Sequence, residues 1–323
     1  MEMIWQVGVA IILFFQAMGN WLLLPMKAVS FLGQEEFFLL LLPALFWCVD
    51  PGAGLRLGMM LVLTNGLNMW LKFAFQAPRP YWFDARVAAL ANEPTFGMPS
   101  GHAQNAVALW GLTARLMRKR WLWVVAGVVM LLTGLSRIYL GVHFADQVLL
   151  GWLVGAVLLW AFNRLDAPLA RRLQGVPLGK LLLLVLLSSL VIILGSMLIV
   201  LGARALPADW VANAAVAAPG SEFTPLSLND TFTIAGVWLG MGCGAAYQWR
   251  RFGAPFAGGP WQQRVLRYAL GMVGLLVIYL GLGALFPRTP DLLGFFLRYL
   301  RYALLGAWVA GLAPAVFRRL RLV

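Results

Sequence analysis

Continuous apolar runs near 20 residues, separated by short polar or Pro/Gly-rich breaks, recur along the chain. A helix rising about 1.5 Å per residue needs about that length to cross roughly 30 Å of hydrocarbon. The runs predict about ten helices, with cores at 5–25, 36–50, 55–74, 102–117, 121–139, 146–163, 178–202, 231–248, 266–286 and 300–317. Strands of a spanning barrel would alternate over about 10 residues instead. The predicted fold class is therefore an all-α polytopic membrane protein. Gln16 and Asn20 interrupt the first run, and Pro25 predicts a turn along the interface. Met1 to Trp5 carries no basic segment and leads into more membrane sequence, so no cleavable leader is expected.

Composition agrees with this pattern: 62% of the 323 residues are hydrophobic and 11% are charged, against about a quarter charged in soluble domains. The net charge of +13 raises the question of nucleic acid, but the basic residues cluster in short loops between apolar runs. Membrane orientation accounts for them, and no nucleic-acid partner is expected. Arg115, Arg118, Lys119 and Arg120 form one cluster; Arg164, Arg171, Arg172 and Lys180 a second; Arg250, Arg251, Arg264 and Arg267 a third; Arg318, Arg319 and Arg321 a fourth. Alternation through ten helices puts all four on the cytoplasmic side together with both termini, and puts loops 75–101 and 140–145 on the opposite face. A composition change near Asp166 to Pro177 divides a six-helix unit, 1–165, from a four-helix unit, 166–323. The second has a long outward loop at 203–230, carrying Asp209, Glu222 and Asp230, and no readable motif. Cys48 and Cys243 lack metal or redox spacing and read as packing residues.

Three segments gather the residue types suited to phosphate chemistry, all at outer helix ends in this topology. They are Lys72 to Arg79-Pro80, then Pro99-Ser100-Gly101-His102, then Ser136-Arg137 through His143 to Asp146. His102 and His143 are the chain's two histidines, and an imidazole exchanges protons near neutrality. Arg79 and Arg137 offer planar paired donors to a phosphoryl group, and Lys72 a point charge. Ser100 suits a helix N-cap, and Gly101 would let an anion approach the free N–H groups of a first turn.

Those motifs, in that order, resemble the signature of the type 2 phosphatidic acid phosphatase family, which includes glucose-6-phosphatases and vanadium haloperoxidases. The resemblance covers about residues 1–165. It implies a six-helix phosphatase core with a periplasmic or lumenal site, His143 as a nucleophile forming a phosphohistidine, and His102 as the acid for the departing oxygen. The family usually places three residues between this histidine and its aspartate; here only Phe144 and Ala145 intervene, and Gln147 holds the usual aspartate position, as in the glucose-6-phosphatase branch. Asp146 or Gln147 would then orient His143, with Asp146 the favoured candidate, since positions three and four ahead share a helix face.

No cofactor or metal is expected, because Asp84, Glu93 and Asp146 lack ligand spacing. The expected activity is metal-independent hydrolysis of a lipid phosphate monoester or diphosphate, such as a polyprenyl diphosphate or phosphatidic acid. The expected setting is a bacterial inner membrane, with homo-oligomerisation open. The alternatives are a sugar-phosphate phosphatase, a lipid phosphotransferase and a non-enzymatic lipid transporter.

Overall fold

The computed structural model describes residues 2–220, 222–287 and 289–323, residue 35 by its backbone alone. The described residues form helices, turns and loops, without strands. In chain order these are α1 (Glu2–Ala17), α2 (Leu23–Phe31), α3 (Glu35–Cys48), α4 (Pro51–Phe75), the short α5 (Pro80–Phe83) and α6 (Gly101–Asn105). A π turn at Ala106–Trp110 continues α6 into α7 (Gly111–Met117). There follow α8 (Arg120–Tyr139), α9 (Ala145–Gln174), α10 (Leu178–Leu201), α11 (Ala208–Ala217) and α12 (Asn229–Phe252). The helix α13 (Trp261–Leu276) passes through a π turn into α14 (Leu282–Leu285), and α15 (Leu292–Ala307) passes through another into α16 (Ala313–Arg319).

Among the described residues, five segments are long and apolar enough to cross a membrane: Arg120–Tyr139, Ala145–Gln174, Leu178–Leu201, Trp261–Leu285 and Leu292–Arg319. Glu2–Ala17 with Asn20–Phe31 makes a sixth if that pair, bent by 89°, counts as one span. The bend falls at Gly19, whose φ of 99° belongs to the region that glycine adopts freely. Pro25, where the sequence predicts the turn, lies near the start of α2 instead, where a missing N–H costs little. The interval 203–230, expected as loop, contains α11.

The chain forms two compact units, each drawn from three stretches: 1–37, 67–161 and 197–227 in one, 38–66, 162–196 and 228–323 in the other. In the first, the segment after α10 folds onto the short helix of the first motif. Asn213 Nδ2 donates to the Trp82 carbonyl at 3.0 Å, and the Trp82 and Phe223 rings meet edge-on at 4.7 Å. Two glycines let α9 lie against the helix that begins at Ser100. A Cβ at Gly151 would come 2.6 Å from the Ser100 carbonyl oxygen, and one at Gly155 would come 2.5 Å from that of Gln104. This approach puts the second and third motifs side by side.

In the second unit α12 and α15 pack closely along Gly236, Gly240 and Gly244. A Cβ at Gly240 would lie 1.9 Å from the Ala303 carbonyl oxygen, well inside contact distance. Spacing by four keeps such residues on one helix face, and small residues there let backbones approach within a membrane. The charge and motif reading of 166–323 missed this seam.

Candidate active site

The third motif ends α8 and begins α9, and its turn depends on Gly141. This residue has φ 73°, and a Cβ on it would lie 2.3 Å from the Ala88 carbonyl oxygen. Gln16 of α1 fastens the same turn: its Nε2 donates to the carbonyls of Ala88 at 2.9 Å and Tyr139 at 3.2 Å. The polar residue that breaks the first apolar run thus anchors two loops.

His143 emerges from this turn fully buried. Its Nδ1 lies 2.8 Å from the Gly97 carbonyl oxygen and 3.1 Å from Gln147 Oε1. The Gln147 amide has one consistent orientation, because its Nε2 faces the Pro78 carbonyl at 2.8 Å while Oε1 also accepts from the Phe144 N–H at 3.3 Å. Two oxygens on Nδ1 can both be satisfied only if that nitrogen carries the proton. The Nε2 lone pair is then the acceptor, and Arg79 Nη1 donates to it at 3.2 Å. Burial, then the positive charges of Arg79 and Arg137, hold the His143 pKa well below its ordinary value, so the ring is neutral.

Gln147 joins all three motifs. Its side chain meets His143 and Pro78, and its backbone carbonyl accepts the Ser100 N–H at 3.0 Å. A Cβ on Gly97 would stand 2.6 Å from Gln147 Oε1, so this glycine is needed for the contact. Asp146, the favoured partner from sequence, does not touch His143. Its carboxylate takes a hydrogen bond from Trp5 of α1, and its Oδ1 is buried without a partner among the described residues. It lines an apolar cavity of about 400 Å³ with Met3, Ile4, Val7, Gly8 and Ile11. The cause is helical geometry: Asp146 and Gln147 are about 100° apart around α9, and the tight turn directs the later residue at the imidazole.

The expected cations converge on the same place. Arg79 is fully buried; its Nε donates to the Thr95 carbonyl at 2.6 Å, its Nη1 to that of Val142 at 3.0 Å and its Nη2 to that of Phe96 at 3.2 Å. Arg137, also buried, donates Nη1 to Ser30 Oγ at 2.6 Å, and its Nε has no partner among the described residues. Lys72 Nζ donates to Thr95 Oγ1 at 2.8 Å. Ser100 caps α6, its hydroxyl accepting from the Ala103 N–H at 3.4 Å. Gly101 abuts Asn68, where an added Cβ would press on Oδ1 at 3.2 Å. Asn68 in turn donates to the Pro99 carbonyl at 3.2 Å and to Gln104 Oε1 at 2.9 Å, binding α4 to the second motif.

Glu93 belongs to the same cluster, although the sequence suggests it only as a candidate metal ligand without ligand spacing. Its carboxylate pairs with Arg137 and, at 3.4 Å, with Arg79, and lies 3.9 Å from His102 Nδ1. Burial raises its pKa, but Arg79, Arg137, His102 and Lys72 together outweigh that and hold it well below the usual carboxylate range. The side chains of Glu93 and His102 retain 20% and 17% exposure while those of Arg79 and Arg137 retain 0% and 1%, which marks the open side of the cluster. Among the described residues, no three His, Cys, Asp or Glu side chains come together as a metal cage would require.

The arrangement offers a neutral imidazole of fixed tautomer beside three cations and a second imidazole, which suits capture of and attack on a tetrahedral oxyanion. Comparison with known proteins points the same way. The profile of the PAP2 superfamily matches residues 53–170, and that of the PAP2 superfamily phosphatase transmembrane extension matches 232–323. Phosphatidylglycerophosphatase B of Bacillus subtilis is 31% identical over 170 residues, 47% of this chain and 78% of that protein. Glucose-6-phosphatase 3 of Bos taurus is 29% identical over 182 residues, 49% of this chain and 52% of that protein. Undecaprenyl-diphosphatase of Sulfolobus acidocaldarius is 32% identical over 104 residues, 32% of this chain and 50% of that protein. The chain thus spans about half the length of the latter two.

Proposed function

Because the chain belongs to the PAP2 superfamily of membrane phosphatases, we propose that it hydrolyses a phosphate monoester or diphosphate carried by a lipid, through a phosphohistidine at His143. The observation that carries this reading is the double acceptor on Nδ1, Gly97 and Gln147, which leaves Nε2 as the nucleophilic nitrogen. Nε2 attacks phosphorus, the bond to the leaving oxygen breaks with its electron pair, and His102 supplies that oxygen with a proton. Water then attacks the phosphohistidine, giving its proton to His102 and returning the electron pair to His143 as phosphate leaves. Lys72, Arg79 and Arg137 neutralise the phosphoryl oxygens, and the N–H groups of the first turn after Ser100, beside Gly101, assist. The buried Nε of Arg137 and Nε2 of His102, both without partners, support a polar ligand there, since such groups are costly to leave unmet. Gln147 takes the orienting role in place of Asp146.

The named activities of the bacterial and archaeal relatives favour a lipid phosphate, either a diphosphate or a glycerol-linked monoester. Glutamine in the third motif and the glucose-6-phosphatase relative favour a soluble sugar phosphate as second reading. The reading places the phosphatase core at 1–165 and a membrane extension at 166–323, supported by the two family matches at 53–170 and 232–323, with 38–66 exchanged into the second compact unit and 197–227 into the first. The charge clusters support a site outside the cytoplasm with both termini inside, as in a bacterial inner membrane.

The test uses purified protein in EDTA, a radioactive phosphate donor and an alkaline denaturing quench, with acid treatment afterwards to check the lability of the label. Wild type should take up an acid-labile label and His143→Ala none, while phosphate release from undecaprenyl diphosphate exceeds that from glucose 6-phosphate. Label on His143→Ala would place the nucleophile elsewhere.

A further inference from the structure

Glu93 occupies the position between the arginines that a phosphoryl group would fill, and the same carboxylate faces the acid of the proposed reaction. One of its oxygens is shared between Arg137 and the approach to His102 Nδ1, still 3.9 Å away. Burial most of all, and then the charges of Arg137, Lys72 and Arg79, oppose a proton on the His102 ring, whereas Glu93 favours one. On the other side of the imidazole, Nε2 is buried without a partner. An acid needs a proton to give, and here three of its four charged neighbours work against it.

We propose that Glu93 is the positioning residue for His102, and that it takes up this role when a substrate phosphate draws Arg79 and Arg137 away from it. This rests on the reading of His102 as the acid and of the arginines as phosphate ligands. A carboxylate released from the guanidinium groups closes from 3.9 Å to the roughly 2.7–2.9 Å of a charge-assisted hydrogen bond. It then accepts Nδ1–H and stabilises the imidazolium, and Nε2–H is the proton delivered. The breaking P–O bond leaves its electron pair on the departing oxygen, which takes that proton; His102 becomes neutral with Nδ1–H still on Glu93. In the second half, Nε2 takes a proton from the attacking water. Glu93 gains and loses no proton. The acid is thereby assembled only with phosphate in place.

The experiment compares wild type, His102→Ala, Glu93→Gln and Glu93→Asp on decyl phosphate and nitrophenyl phosphate, with vanadate inhibition measured for each variant. A nitrophenolate leaves with little protonation and an alkoxide does not. Glu93→Gln should lower kcat for decyl phosphate about 100-fold and for nitrophenyl phosphate less than about tenfold, with vanadate bound as well as in wild type or better, since a competing anion is gone. Glu93→Asp, which keeps the charge on a shorter arm, should fall between wild type and Glu93→Gln on decyl phosphate. Equal losses on both substrates in Glu93→Gln, or vanadate bound about tenfold more weakly, would mean that Glu93 only holds the arginines and would overturn the proposal. If His102→Ala itself loses equally on both, the acid reading fails and this proposal with it. A leaving-group-dependent loss in His102→Ala alone overturns only the role of Glu93.

Discussion

The cluster around His143 and the seam between α12 and α15 are both buried and closely packed, yet they are held in opposite ways. Around His143 the contacts are polar and each has a specific direction: a carbonyl or amide oxygen on Nδ1, an arginine at Nε2, Gln147 reaching three motifs at once. Along the seam, backbone rests on backbone over Gly236, Gly240 and Gly244, and what matters is that nothing intervenes. Losing a polar atom should therefore harm the first region and leave the second untouched, whereas adding a carbon should do the reverse.

The largest effect is expected at Gln147. Removing its amide in Gln147→Ala leaves the His143 tautomer to the Gly97 carbonyl alone and frees the Pro78 and Phe144 backbone groups. Loss of an orienting partner costs roughly one to two orders of magnitude, so kcat should fall about 100-fold with little change in KM. Asp146→Asn should stay within about twofold of wild type. Reversal of these two results in one assay would restore Asp146 as the orienting group and undo the geometric reading.

Next is the seam. Gly240→Leu forces a side chain into the 1.9 Å between the Gly240 Cβ position and the Ala303 oxygen, so α12 and α15 must separate. Overpacking of this kind costs about 1–3 kcal/mol or more, read as a lower midpoint in detergent melting. Turnover per folded molecule should hold, because no residue placed at the site belongs to α12 or α15. A selective loss of kcat at unchanged melting would show that the two regions are not as independent as their construction suggests.

The two regions also differ in how far the sequence displayed them. His102, His143, Lys72, Arg79 and Arg137 stood out because titratable side chains are rare in apolar runs, and the structure brings all five together. Glu93 did not, since its partners lie 14 and 44 residues away and an acid in a polar loop attracts no notice. Gly97 and Gly141 are legible only when the atoms opposite them are known. A shared helix face does not separate Asp146 from Gln147; the turn before α9 does, by aiming the later residue at the imidazole, where the Pro78 carbonyl also needs a donor that an aspartate would lack. The helices of the seam are visible as apolar runs, but a period of four in glycine becomes a contact only once the backbone opposite it is known.

The smallest expected effect concerns pH and tests what burial does in each place. In the seam, burial only permits close packing. At His143 burial is the largest cause of the lowered pKa, with Arg79 and Arg137 adding to it. The reactive form is the neutral ring, which persists until the pH falls through that lowered value. The free enzyme governs kcat/KM, so its acid limb should lie below about 6.5, the ordinary histidine value. Arg79→Gln should move the limb upward by removing one of the opposing charges, at the cost of weaker phosphate binding. Gly240→Leu should leave it in place even as melting drops. An acid limb at or above 6.5 in wild type would mean that His143 is solvated in the working enzyme, and that the two regions share less of their burial than their packing implies.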